Sequence, residues 1–129
     1  MSQNKRPLSP FMLGDAYKFQ ITSVMSFLHR LSGIALVFIM FVIAAWFAGI
    51  AAGPDAYHAV QGFLTNWFVL IFVFIGTFAA CYHFCNGIRH LFWDAGKGID
   101  MDSARKSARL VQIGAIVLGL IIIVAGFMA

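Results

Sequence analysis

Three long apolar segments constrain the fold of this 129-residue chain more than any other feature. The first has no charged residue between Arg30 and Asp55, and the other two begin at Trp67 and after Arg109. About 20 apolar residues cross the hydrocarbon core of a bilayer as an α-helix. The pattern therefore predicts an all-α membrane protein whose three transmembrane helices occupy about residues 24–52, 64–93 and 104–128.

Charge composition agrees with a membrane location. Only 11% of the residues are charged, against about 25% in soluble domains. The net charge of +4 comes from basic residues that flank the apolar segments and form no patch, so a lipid bilayer is the expected partner rather than nucleic acid. We expect one domain spanning residues 1–129.

The distribution of lysine and arginine predicts the orientation, because cytoplasmic loops carry an excess of both. The loop at residues 53–66 has neither. The N-terminus is therefore expected in the cytoplasm and the C-terminus in the periplasm of a bacterial inner membrane, with no signal peptide at the start. The basic residues that support this orientation are Lys5, Arg6, Lys18 and Arg30 in the N-terminal part, and Lys97, Arg105, Lys106 and Arg109 after the second span.

The end of the second span carries the most informative polar residues. His83, Gly87 and His90 are spaced i, i+4 and i+7 and so share one helix face. Neutral imidazole is a good iron ligand, and Gly87 would leave room for a macrocycle beside it. His90, one turn nearer the aqueous edge, could meet charged propionates. The alternatives are a hydrogen-bonded packing role for His83 and an ordinary interfacial position for His90.

A second polar cluster, which also contains His29, lies at the start of the first span. Ser26 and Arg30 are four residues apart, so a hydroxyl and a guanidinium share one face and could bind a carbonyl or a carboxylate. The alternative is that Ser26 caps the helix and Arg30 extends its charged end towards water.

A haem with two axial ligands requires them on opposite sides of the ring. His58 lies at the other side of the membrane, and His29 and His90 are shallower than His83. If His83 binds haem, its opposite ligand is expected from another polypeptide. A metal site made by Cys81, His83 and Cys85 is disfavoured, because alternate residues of a helix point in different directions.

Three motifs, together with three spans in a chain of this length, resemble one known family, the cytochrome b556 membrane-anchor subunit of succinate dehydrogenase. The resemblance covers nearly the whole chain. The motifs are Arg6-Pro7-Leu8-Ser9-Pro10, Ser26-x-x-His29-Arg30-x-Ser32-Gly33 and His83-x-x-x-Gly87-Ile88-Arg89-His90-x-x-x-Asp94.

The resemblance implies half of a haem-binding anchor bundle, with haem b shared between this chain and a second anchor subunit. The pair would dock an iron–sulfur subunit and a flavoprotein subunit and pass electrons from succinate to ubiquinone, in the tricarboxylic acid cycle and respiratory chain. The chain itself would have no dehydrogenase chemistry. By motif, His83 would be the axial ligand, Ser26 and Arg30 would bind quinone, and His29, Arg30 and His90 would lie near the haem propionates.

The chain departs from the family pattern near its start. Many members have a histidine where this chain has Phe11, and the segment from Met12 to Lys18 is slightly longer.

Two other hypotheses compete with the leading one. The chain could be the related anchor of a fumarate reductase that uses menaquinone, or a small membrane scaffold or transporter component without a cofactor.

Overall fold

Residues 20–128 are described by a computed structural model, and they form four α-helices. These helices are α1 (Ile21–Ala52), α2 (Pro54–Leu64), α3 (Trp67–Asp94) and α4 (Met101–Met128). The three long helices are apolar enough to cross a membrane. The Arg6–Pro10 motif, Phe11, the segment Met12–Lys18 and the basic residues before Gln20 lie outside the described residues.

Helix α3 lies between α1 and α4 and packs against both. Small residues allow these close approaches: a Cβ on Gly76 would overlap Ile39 of α1, and a Cβ on Gly119 would lie 2.6 Å from the ring of Phe78. Most large apolar side chains of the long helices remain exposed. Such surfaces are expected where lipid or another membrane subunit covers a helix.

The long helices begin and end close to the predicted spans. Helices α1 and α4 each begin about three residues earlier than predicted, whereas α3 begins about three residues later, at Trp67, and ends about one residue later, at Asp94. Helix α4 is capped by Asp100, whose carboxylate accepts a hydrogen bond from the Ser103 amide at 2.9 Å. Bonds from the Ser103 side chain and amide lower the pKa of Asp100. This cap therefore stabilises the helix above the ordinary carboxyl pKa, and the stabilisation is lost as the pH falls through the lowered pKa.

The segment between the first two spans is helical, although its sequence predicts only a short loop. Gly53 has a φ of 111°, a conformation that favours glycine, and ends α1. Pro54 and Asp55 then start α2, since proline suits the first helical position and an acidic residue the positive helix end. Trp46 holds α2 to α1 by donating a hydrogen bond from Nε1 to Oε1 of Gln61 at 3.3 Å.

The described core is small and concentrated at the end of the bundle that contains His29, His83 and His90, which we call the histidine end. Met25, Ala108 and Val111 are buried there. Tyr82 donates a hydrogen bond to the Met25 carbonyl oxygen at 2.7 Å, an interaction worth about 1 kcal/mol. Gln112 of α4 reaches the sulfur of Met25 at 3.7 Å. The three long helices therefore meet at this end.

Candidate functional site

His83 lies where α3 packs against α1. A Cβ on Gly33 would be 3.1 Å from Cε1 of His83, so the absence of a side chain there lets the imidazole lie against the α1 backbone. The ring of His29 stacks on it, with ring centroids 4.0 Å apart and an angle of 13° between the planes. One face of His83 is thus fixed by α1.

The hydrogen bonds of His83 indicate which ring nitrogen carries the proton. The Ser32 hydroxyl donates its hydrogen to the carbonyl oxygen of His29 at 2.8 Å. His83 Nδ1 lies 3.0 Å from the Ser32 Oγ and 3.2 Å from the same His29 oxygen. Because a carbonyl only accepts and the hydroxyl hydrogen is already used, Nδ1 must be the donor. Nε2 of neutral His83 then keeps its lone pair, the form that binds a metal.

The three histidines predicted to act together are brought together. His29 lies between the other two. Its ring stacks on His83, and its ring centroid is 5.0 Å from that of His90. His90 in turn meets Trp93 edge-on at 5.2 Å. The buried Nδ1 of His29 has no hydrogen-bond partner within residues 20–128. An unsatisfied buried nitrogen of this kind is costly unless a further group supplies its hydrogen-bond partner.

Gly87, one helical turn after His83, borders open space. A Cβ built on it would contact nothing within 4 Å among the described residues. In contrast, Gly33, Gly76 and Gly119, which lie on the α1–α3 and α3–α4 contacts, are tightly enclosed. The α3 face that follows His83 therefore has room for a flat group.

Ser26 and Arg30 lie at the histidine end of α1 but do not bond to each other in the part of the chain that is described. Ser26 is half-buried and Arg30 is exposed. His29 separates them in sequence, and its own ring is committed to His83. The hydroxyl and the guanidinium are thus left available on the surface of α1, beside the histidine cluster.

Two features of the site were not predicted from the sequence. Ser32 and Gly33 form the seat of His83, although their motif assigned them no role. Arg89, which likewise had no role assigned by its motif, is buried at 5% exposure. It packs its guanidinium 3.9 Å from the centre of the Trp93 ring and donates from Nε to the Ser107 hydroxyl of α4 at 3.0 Å.

The cysteines beside His83 do not join it. Cys81 is buried and Cys85 partly so, and both thiols are free. Cys85 lies near α4, where a Cβ on Gly114 would be 3.7 Å from its sulfur. His83 faces α1 instead, so residues of the same helix turn point to different neighbours.

Three apolar spans and a cluster of histidines between two of them define a multi-pass membrane protein with a polar site at one end. Comparison with known proteins identifies the group to which it belongs. The model of the succinate dehydrogenase/fumarate reductase transmembrane subunit family matches residues 2–123. The chain belongs to this family and is therefore a membrane subunit of a larger complex.

Individual relatives agree over most of their length. The succinate dehydrogenase cytochrome b556 subunit of Paracoccus denitrificans is 29% identical over 98% of this chain and 96% of its own. The protein of the same name from Rickettsia bellii is 40% identical over 85% of this chain and 84% of its own. The succinate dehydrogenase cytochrome b560 subunit of Marchantia polymorpha is 34% identical over 92% of this chain and 89% of its own.

Proposed function

We propose that this chain is the cytochrome b anchor subunit of a succinate dehydrogenase and that it binds haem b through His83. The observation that carries the proposal is the Nδ1-protonated form of His83, which Ser32 and the His29 carbonyl impose and which leaves Nε2 with a lone pair. The open space beside Gly87 and the unsatisfied Nδ1 of His29 fit a flat group with polar substituents.

Haem b, when bound, supplies a one-electron carrier near the quinone. Within the chain, His83 would hold the iron, and Ser32 would orient the imidazole. His29, His90 and Arg30 would lie near the propionates, because all three belong to the histidine end. The second axial ligand would come from a partner anchor subunit, since His29 and His90 lie beside His83 rather than opposite it.

Quinone would bind at Ser26 and Arg30. A quinone gains two electrons and two protons on reduction, so its site needs a hydrogen-bond donor and a cation near the aqueous edge. The Ser26 hydroxyl can donate to a quinone oxygen, and the Arg30 guanidinium can stabilise negative charge that develops on it. Ubiquinone is the proposed electron acceptor. The alternative is a fumarate reductase anchor that uses menaquinone, and measuring the activity of the complex with each quinone distinguishes the two.

The proposed complex contains the second anchor, an iron–sulfur subunit and a flavoprotein subunit. Its membrane would be the bacterial inner membrane. The basic residues Lys97, Arg105, Lys106 and Arg109 follow α3 or begin α4, at the histidine end, so this end would face the cytoplasm. The catalytic subunits would dock there, within reach of the quinone site.

Replacing Gly87 by leucine tests whether the open face holds the haem. We expect the variant to insert normally, because a Cβ at this position contacts nothing within 4 Å among the described residues, but to lose most of its haem by steric exclusion. Haem content per protein is measured after extraction. Gly126→Leu is the control, since Gly126 is equally open and lies near the other end of α4. A Gly87→Leu protein with full haem content would contradict the proposed position.

Replacing Ser32 by alanine tests the orientation of the ligand. Removing a hydrogen-bond partner of a metal-binding histidine weakens metal binding by roughly 10- to 100-fold. We expect an effect at the lower end of this range, about tenfold faster haem release, because the His29 carbonyl still accepts a hydrogen bond from Nδ1 of His83. Haem transfer to a soluble acceptor protein measures the rate. Thr77→Val removes a similar hydroxyl, bonded to the Val73 carbonyl at 2.9 Å, and should leave the release rate unchanged.

A further inference from the structure

A second site lies on the side of α3 away from the histidines, in a cavity of about 380 Å³ between α3 and α4. One part of its wall is apolar and includes Ile88, Phe92 and Leu110. A small polar part of the wall includes Arg89, Lys97 and Ser107. A cavity divided in this way suits a molecule that has an apolar body and a charged group.

The charge of Arg89 is not neutralised within the described chain. Its three hydrogen bonds go to neutral acceptors: the Ser107 hydroxyl at 3.0 Å, the Ala104 carbonyl at 3.1 Å and the Asn86 side-chain oxygen at 3.3 Å. A guanidinium has five N–H groups, so donors remain. A buried cation without a counter-ion is costly, and an anion placed in the cavity would remove that cost.

The same polar cluster has a second unsatisfied donor. Asn86 is fully buried, at 0% exposure, and its Nδ2 has no partner within residues 20–128. Ser103, another residue of the cavity wall, donates its amide hydrogen to the Asp100 carboxylate at the start of α4. Within the described residues, this cluster therefore holds a buried positive charge and an unsatisfied donor, and the hydrogen bonds of Arg89 include none to a carboxylate.

We propose that this cavity binds a phospholipid with an anionic headgroup. The phosphate would lie beside Arg89 and Lys97, and an acyl chain would cover Ile88, Phe92 and Leu110. A free phosphate would satisfy only the polar part of the wall, and an uncharged lipid only the apolar part. Basic pockets between transmembrane helices at the membrane edge bind anionic headgroups in this manner.

Lipid retention is measured by native mass spectrometry on the full chain, purified in mild detergent together with its accompanying subunits. The probes are dioleoylphosphatidylglycerol and dioleoylphosphatidylcholine. We expect one tightly retained phosphatidylglycerol and weaker retention of phosphatidylcholine. Lys97→Gln should weaken phosphatidylglycerol binding about fivefold, the effect of one charge near a headgroup. Lys106→Gln carries the same charge change at an exposed position outside the cavity and should not weaken it.

A further variant keeps the test independent of Arg89, whose replacement could disturb the α3–α4 contact. Ile88→Trp fills the apolar part of the cavity and should also reduce retention of phosphatidylglycerol. Equal retention of the two lipids, or equal effects of Lys97→Gln and Lys106→Gln, would overturn the proposal. Displacement of the lipid by millimolar inorganic phosphate would instead identify a site for free anions. None of these readouts depends on haem.

Discussion

Replacing His83 by alanine is expected to abolish the b-type absorption band of the purified protein. The change removes the proposed axial ligand, and the loss in haem affinity should be at least that of losing a supporting partner, roughly 100-fold. The alanine variant also loses the bond to Ser32 and the stack on His29, but a single net hydrogen bond is worth only about 1 kcal/mol. The protein should therefore still insert and fold.

Chemical rescue separates ligation from folding. Free imidazole added to the His83→Ala protein should occupy the vacated position and restore part of the haem band. His58→Ala is the control, because His58 is an exposed residue of α2 at the opposite end of the bundle. An unchanged band in His83→Ala would refute the ligand role. Loss of the band in His58→Ala as well would assign it to general destabilisation.

Replacing Arg30 by alanine should depress quinone reduction about 100-fold, the scale seen when one donor to a developing negative charge is removed. Ser26→Ala should have a smaller effect in the same direction, since it removes a neutral hydrogen bond. Neither side chain supports the described fold, because Ser26 and Arg30 make no side-chain bond within residues 20–128. Oxidation of succinate by an artificial dye acceptor should therefore continue.

The comparison of the two activities decides the role of Arg30. Arg105→Ala is the matched control, since Arg105 is an exposed arginine of α4 at the same end of the bundle. It should preserve both activities. An equal fall of quinone and dye reduction in Arg30→Ala would place the residue in assembly with the catalytic subunits rather than at the quinone.

The sequence predicts the long helices well because the membrane imposes a simple requirement on each of them. The length of an apolar run is sufficient to identify a span, and residues 20–128 contain three long apolar helices. Their ends are less predictable, because Asp100 caps α4 from outside the apolar run and the polar residues that follow it continue the helix. Helix α2 has no such length, and its helical form depends on Pro54 and on packing against Trp46 and Gly49.

Some features of the candidate site could likewise be predicted from the sequence, whereas others depend on how the helices pack. The spacing of His83, Gly87 and His90 is a property of one helix, so their common face could be read from the chain. The seat formed by Ser32 and Gly33 depends on how α1 packs against α3, and no local pattern specifies that. The burial of Arg89 could not be predicted for a related reason: a charged residue at the end of an apolar run usually faces water, but here α4 covers it.

The most direct test of the account is the dithionite-reduced minus oxidised spectrum of the detergent-purified chain with its accompanying subunits. If His83 binds haem b, we expect a sharp b-type α-band, with companion anchor, iron–sulfur and flavoprotein subunits present in the same preparation. A preparation that contains all of these subunits in equal amounts but shows no haem band would contradict it, and His83 would then be a packing residue of a cofactor-free anchor.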